Sequence, residues 1–252
     1  MVPGTAGGGD PGGSEATAVG TLIHELARRA SAGEVGPEGL RAAFDEAWAA
    51  LPAGPAWRQD ARRERAWSMV QAWSGWDADR PRDQLVGVEV PFRCDLTVEL
   101  PDGRPETVTL RGVVDRLELV DDTLVVVDYK TGRKATAGQV QTLGQLGVYQ
   151  LAVRAGAFDE LIGAAVHRPG KALAVYLDAG EGAARAATLV QPSLDDVPVP
   201  DGIDVGSAPD WASAAVAEAA RIVRDEDFVA RRGSHCRGCP FATDCPPRGA
   251  RR

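Results

Sequence analysis

The chain has 252 residues, 44% of them hydrophobic, enough for one large domain with a proper core and too apolar for wholesale disorder. Its 28 Lys and Arg against 36 Asp and Glu leave a formal net charge of −8, which argues against coating nucleic acid by bulk attraction while leaving room for a local basic patch. No apolar run is long enough to span a membrane and the N-terminus lacks a signal-peptide pattern, so no membrane association and a cytoplasmic location are expected.

Residues 1–17 are Gly-rich and read as a flexible tail. Thr17–Ala30 follows with an apolar stripe of Leu22, Ile23, Leu26 and Ala27 at helical spacing. Two more helices are expected near Glu38–Leu51 and Trp57–Trp73, and the stripe of Trp57, Trp67 and Trp73 reads as core. These make up an N-terminal helical part, residues 18–83. From 84 the character changes: a strand runs from Leu85 to a hairpin turn at Pro101-Asp102-Gly103, and Glu106–Val120 returns. Asp121-Asp122 is a second turn, and Leu124–Lys130 is apolar enough for a buried central strand. Gly138–Ala155 has helical spacing. Leu161–His167 and Ala172–Leu177 read as a hairpin around Pro169-Gly170, Ala187–Gln191 as a strand, and Trp211–Arg224 as an amphipathic helix. The core is expected over 84–230 and a Cys-rich tail over 231–252, with no internal repeat.

The chemistry gathers between Val113 and Tyr149. Asp115 closes one apolar run and Asp128 another, so pairing across the Asp121-Asp122 turn brings two carboxylates to one end of a sheet. Close carboxylates repel unless a cation lies between them, and Mg²⁺ accepts one or two carboxylates while keeping waters. Lys130 lies two residues beyond Asp128, on the same face of an extended strand. An ammonium there can orient an attacking water and offset phosphate charge. The same three residues also read as turn-proximal charges on an ordinary meander.

The ordered motifs Gly112-Val113-Val114-Asp115-Arg116, Asp128-Tyr129-Lys130-Thr131-Gly132 and Gln145-Leu146-Gly147-Val148-Tyr149 resemble those of PD-(D/E)XK nucleases of the RecB type. Gly20 and His24 match the family's G-x-x-x-H helix, and Glu89 sits where an acidic strand residue often occurs. The resemblance implies an α/β fold: a restriction-endonuclease-like core with a mixed central sheet flanked by helices. It implies His24, Asp115 and Asp128 as side-chain metal ligands, the Tyr129 carbonyl as a further ligand, and Lys130 as the catalytic lysine. Gln145 and Tyr149 would contact the site or the DNA backbone. The activity implied is a Mg²⁺- or Mn²⁺-dependent deoxyribonuclease, exonucleolytic on single strands, in double-strand break repair and recombination. The alternative is a catalytically inert copy that binds DNA or docks a partner. His167 and His235 read as structural.

Cys236, Cys239 and Cys245 lie close enough in sequence to hold one soft metal centre, iron–sulfur or zinc, with a disulfide as the other reading. Their spacing and Cys-Pro ending resemble the iron–sulfur staple of AddB-type and AdnB-type nuclease domains, which implies a [4Fe–4S] cluster whose fourth cysteine precedes the G-x-x-x-H helix. No cysteine precedes His24, and the remaining thiol, Cys94, reads as a buried strand residue or the fourth ligand. The chain is therefore expected to be a clipped or separately encoded module of a larger helicase–nuclease. It has no Walker A stretch, so a helicase subunit or domain is the expected partner beside DNA.

Overall fold

The computed structural model describes residues 11–52, 56–178, 185–196, 199, 203–230, 233, 236, 239 and 245. The first ten residues, His235 and most of the Cys-rich tail lie outside them. Three helices come first: α1 (Pro11–Ser31), α2 (Leu40–Ala49) and α3 (Ala56–Ala78). Then come β1 (Leu85–Glu99), β2 (Pro105–Val120) and β3 (Thr123–Lys130). A crossover carries α4 (Ala137–Gln141), α5 (Gly144–Arg154) and α6 (Asp159–Ile162) to β4 (Pro169–Tyr176); β5 (Ala187–Gln191) and α7 (Trp211–Arg224) follow.

The five strands form one sheet in sequence order, antiparallel except for the parallel pair β3 and β4. This is the mixed, helix-flanked α/β sheet expected. The sheet separates two cores. Leu124 and Val126 of β3 join the core built with α5 and α7, and Val125, Val127 and Tyr129 join the one built with α1, α2 and α3. That alternation is the two-residue period of a strand buried on both faces. β2 and β3 are joined by Asp121 and Asp122 with φ of 46° and 61°. Two consecutive left-handed residues make a tight hairpin turn that matches strand twist, and Asp tolerates the conformation.

Four expectations are corrected. Helix α1 starts at Pro11, so residues 11–17 are helical rather than tail; proline is well placed in a first turn, where its missing N–H has no partner to lose. The helix expected over Gly138–Ala155 is broken at Thr142–Leu143. There Leu143 is extended, and the Gln191 side-chain amide donates to Val140 O and Leu143 O, tying the break to β5. Leu161–His167 is no strand: Gly163, with φ 70°, ends α6, and β4 pairs in parallel with β3 instead of forming a hairpin. The tryptophan stripe splits: Trp73 is buried and Trp67 packs against the core, but Trp57 is 82% exposed. No helix among the described residues is long and apolar enough to cross a membrane.

Candidate active site

The site forms where β2 and β3 part. Their ladder runs from Val120↔Thr123 to Arg116↔Val127 and stops. The next residues are Asp115 and Asp128. The Tyr129 N–H donates to Asp115 Oδ2 at 2.6 Å, so a carboxylate stands in for a backbone acceptor where the strands split. On the other side of β2, the pairs Val88↔Arg116 and Val90↔Val114 bracket Glu89 opposite Asp115. Glu89 is itself left-handed, with φ 47°, a conformation strained for a residue with a long side chain.

Helix α1 supplies the fourth group. A Cβ on Gly20 would lie 3.2 Å from Thr131 Oγ1, so any larger residue would press on the loop leaving β3. One turn later, His24 Nδ1 lies 3.2 Å from Asp115 Oδ1 and 3.7 Å from Glu89 Oε1. The Gly20-x-x-x-His24 spacing thus combines a close approach with an imidazole on the same helix face. His24, Glu89 and Asp115 each offer a ligand atom within 4.8 Å of the others, forming the sole such group of His, Cys, Asp or Glu among the described residues.

Asp128 is buried beside them. Lys130 Nζ lies 2.6 Å from Asp128 Oδ2 and is the ion-pair partner of that carboxylate. Burial and then the Asp115 charge push the Asp128 carboxyl up to about 6. Glu89 is raised by the same two influences. Burial pulls His24 down, but its hydrogen bond and attraction to Asp115, with Glu89 and Asp128 behind, lift it above the ordinary value. Three carboxylates here share too little positive charge. A buried carboxylate paired with only one ammonium, next to two more carboxylates and an imidazole, fits the donor set of a hard divalent cation such as Mg²⁺ or Mn²⁺.

Lys130 is held in place from the opposite face. Its Nζ donates to Gln145 Oε1 at 2.6 Å, Gln145 Nε2 donates to Tyr149 Oη at 2.7 Å, and Tyr149 Oη donates to Val113 O at 2.8 Å. Gln145 and Tyr149, one turn apart on α5, therefore brace the lysine against β2. Gly112 makes room for this: a Cβ there would come within 2.9 Å of the Phe92 ring, which packs edge-on to Tyr149. Burial raises the Tyr149 hydroxyl to about 12, so it stays protonated and able to donate.

Of the residues expected at the site, His24, Asp115, Asp128, Lys130, Gln145 and Tyr149 are brought together. Tyr129 contributes its N–H to Asp115, and its buried ring packs edge-on to His24 and Trp76. Glu89, only a minor candidate in sequence, is a full member of the cluster. A second cluster lies behind it. Fully buried Arg116 donates to Asp77 at 2.7 Å and to Glu118 at 2.6 Å, while Arg80 pairs with Glu118 and Arg82 with Asp77. Arg116 closes the Gly112–Arg116 motif, but Asp77, Arg80 and Arg82 carried no sequence signal. His167 pairs with Asp159 at 2.6 Å, in keeping with a structural part. Cys94 is a half-buried β1 residue against the core; Cys236, Cys239 and Cys245 form no disulfide.

A search of curated proteins returned no match. The family model of the PD-(D/E)XK nuclease superfamily matches residues 6–246, nearly the whole chain, with both aspartates, the lysine and the histidine inside the match. The chain belongs to the PD-(D/E)XK nuclease superfamily.

Proposed function

We propose that this protein is a Mg²⁺- or Mn²⁺-dependent deoxyribonuclease of the RecB type, trimming single-stranded DNA ends during double-strand break repair alongside a helicase. The observation that carries the reading is the convergence of buried Asp128 with His24, Glu89 and Asp115, three carboxylates offset only by Lys130 and one imidazole. His24, Asp115 and Asp128, with Glu89 and the Tyr129 carbonyl, would hold the cation. A divalent cation bound there supplies charge neutralisation at the scissile phosphate and a more acidic water.

The chain's own residues do the rest. Lys130, fixed by Asp128 and Gln145, presents an ammonium at the mouth of the carboxylate cluster, where it orients the attacking water and offsets phosphate charge. Gln145 and Tyr149 act through Lys130, restricting it to one position. By their spacing, Cys236, Cys239 and Cys245 would supply three of the four thiolates of a [4Fe–4S] cluster.

The test is cleavage of end-labelled single-stranded DNA by the purified chain with Mg²⁺, Mn²⁺ or chelator. Cutting should need the metal, and Lys130→Ala should lower it by about 1,000-fold or more. Undiminished cutting by Lys130→Ala would remove the basis of the reading. The inert-module alternative predicts no metal binding in calorimetry and no change on Asp128→Ala.

A further inference from the structure

An acidic chain with three carboxylates at its proposed active site repels the polyanion it would have to admit, so some local surface must offset that repulsion. Helix α3 has such a surface. Arg58, Arg62 and Arg65 recur at intervals of four and three residues, which puts them on one helix face. They line two cavities of about 330 Å³ and about 290 Å³ that share these arginines and Glu15, and so form one cleft. One end is walled by Thr131 and Gly132, the residues following Lys130. The other end is walled by Trp57. From His24 back to Glu15, α1 flanks the route for about 14 Å at 1.5 Å per residue, about the length of a few nucleotides of extended strand.

The occupants of this face are lightly held. Arg62, held by the Glu15 carbonyl at 3.2 Å and the Trp48 ring, faces the Glu15 carboxylate at only 3.8 Å, and exposed Arg65 pairs with Asp178; ion pairs of this kind are worth little and readily exchanged for a phosphate. Arg58 has no carboxylate partner among the described residues; its guanidinium sits 5.3 Å from the Trp57 ring centroid. Trp57, 82% exposed, is the most exposed large apolar side chain described. An aromatic platform beside a basic groove is the combination that binds single-stranded nucleic acid without regard to sequence, with bases on the ring and phosphates on the cations.

We propose that the α3 face bearing Trp57, Arg58, Arg62 and Arg65 is the track by which single-stranded DNA reaches the Thr131–Gly132 end of the active site, with a base stacked on Trp57 and the arginines on the phosphates. This rests on the nuclease reading above and adds the substrate form and its path. Trp57 is the anchor; the arginines set the salt dependence.

The test is fluorescence anisotropy of a fluorescein-labelled oligothymidylate with the full chain in chelator, where nothing is cut. Trp57→Ala should weaken binding about 5- to 100-fold, and Trp57→Phe should retain most of it. Arg58→Ala should reduce the slope of log affinity against log salt by about 0.7 between about 50 and about 200 mM. Both variants should melt at the parent's temperature, since neither side chain is in the core. If Trp57→Ala binds within about two-fold of the parent, the track is wrong. If it instead dissociates an oligomer in sedimentation and keeps its DNA affinity, Trp57 is a protein contact and the track is equally wrong. The two readings fail separately: a parent whose cutting depends on Lys130 but not on Trp57 keeps the nuclease and loses the track. A parent that neither binds nor cuts loses both.

Discussion

Asp115 and Arg116 are chain neighbours on β2, yet they head two clusters with opposite electrical habits. Behind the sheet, Asp77 and Glu118 are met by Arg116, Arg80 and Arg82, with the Trp76 ring under two of the guanidiniums. Burial pushes the Glu118 carboxyl up, but Arg80 and Arg116 hold it below the ordinary carboxylate value. In front, Glu89, Asp115 and Asp128 have one lysine and one imidazole between them, and Glu89 and Asp128 are both raised. Burial is common to the two clusters. They differ in whether the chain supplies its own cations. Where it does, the carboxylates are a rigid brace; where it does not, they are left with negative charge that a bound cation would offset.

The largest expected effect lies in the satisfied cluster. Arg116→Met should strip two buried carboxylates of their shared partner and cost about 3–5 kcal/mol in urea unfolding. A loss under about 1 kcal/mol would mean that Arg80 and Arg82 suffice alone, and would blunt the contrast.

The unsatisfied cluster should respond with the opposite sign. Because folding raises the Asp128 carboxyl from 3.8 to about 6, its contribution to stability is complete below its unfolded value and is lost as pH rises through about 6. In chelator at neutral pH, Asp128→Asn should therefore stabilise the protein, by up to about 3 kcal/mol. Added Mg²⁺ should stabilise the parent and not the variant, and metal affinity should fall as pH drops below about 6. Thermal melts across pH, with and without metal, check all three.

The smallest effects belong to the lysine brace. Gln145→Leu should lower kcat about 10-fold with KM little changed, and Tyr149→Phe should do less, since the two neutral hydrogen bonds it removes, to Gln145 and Val113, leave the Lys130–Gln145 contact in place. A change in KM alone would show these side chains on the DNA and not on the lysine.

Much of this was legible before any coordinates. The two turns and the apolar runs leading to Asp115 and Asp128 fix a hairpin, and the hairpin fixes the convergence. Glu89 was legible in principle as well: the register set at Glu99↔Pro105 holds to Val88↔Arg116, which puts Glu89 across from Asp115. Its left-handed backbone gave no sign, because nothing local marks a non-glycine residue for that conformation. Three of the four misreadings share one cause, that the deciding partner lies far away in sequence. Leu161–His167 has strand composition, but the parallel pairing of β4 with β3 leaves it in the crossover. The break before Gly144 is stabilised by Gln191, on another strand. Trp57 and Trp73 share a spacing, and only the docking of α3 decides which one meets the core.

The close packing of Gly20 on Thr131 has a consequence for the order of assembly. Asp115, Asp128 and Lys130 come from one hairpin, whose short loop closes early and at low entropic cost. His24 lies about ninety residues upstream and arrives only when α1 seats against the end of β3. A chain with its sheet formed and its N-terminal helices still loose has the carboxylates and the lysine but lacks the imidazole. Competence is thus expected late, and a chain that is half folded, nicked or unravelling would hold its cation site incomplete.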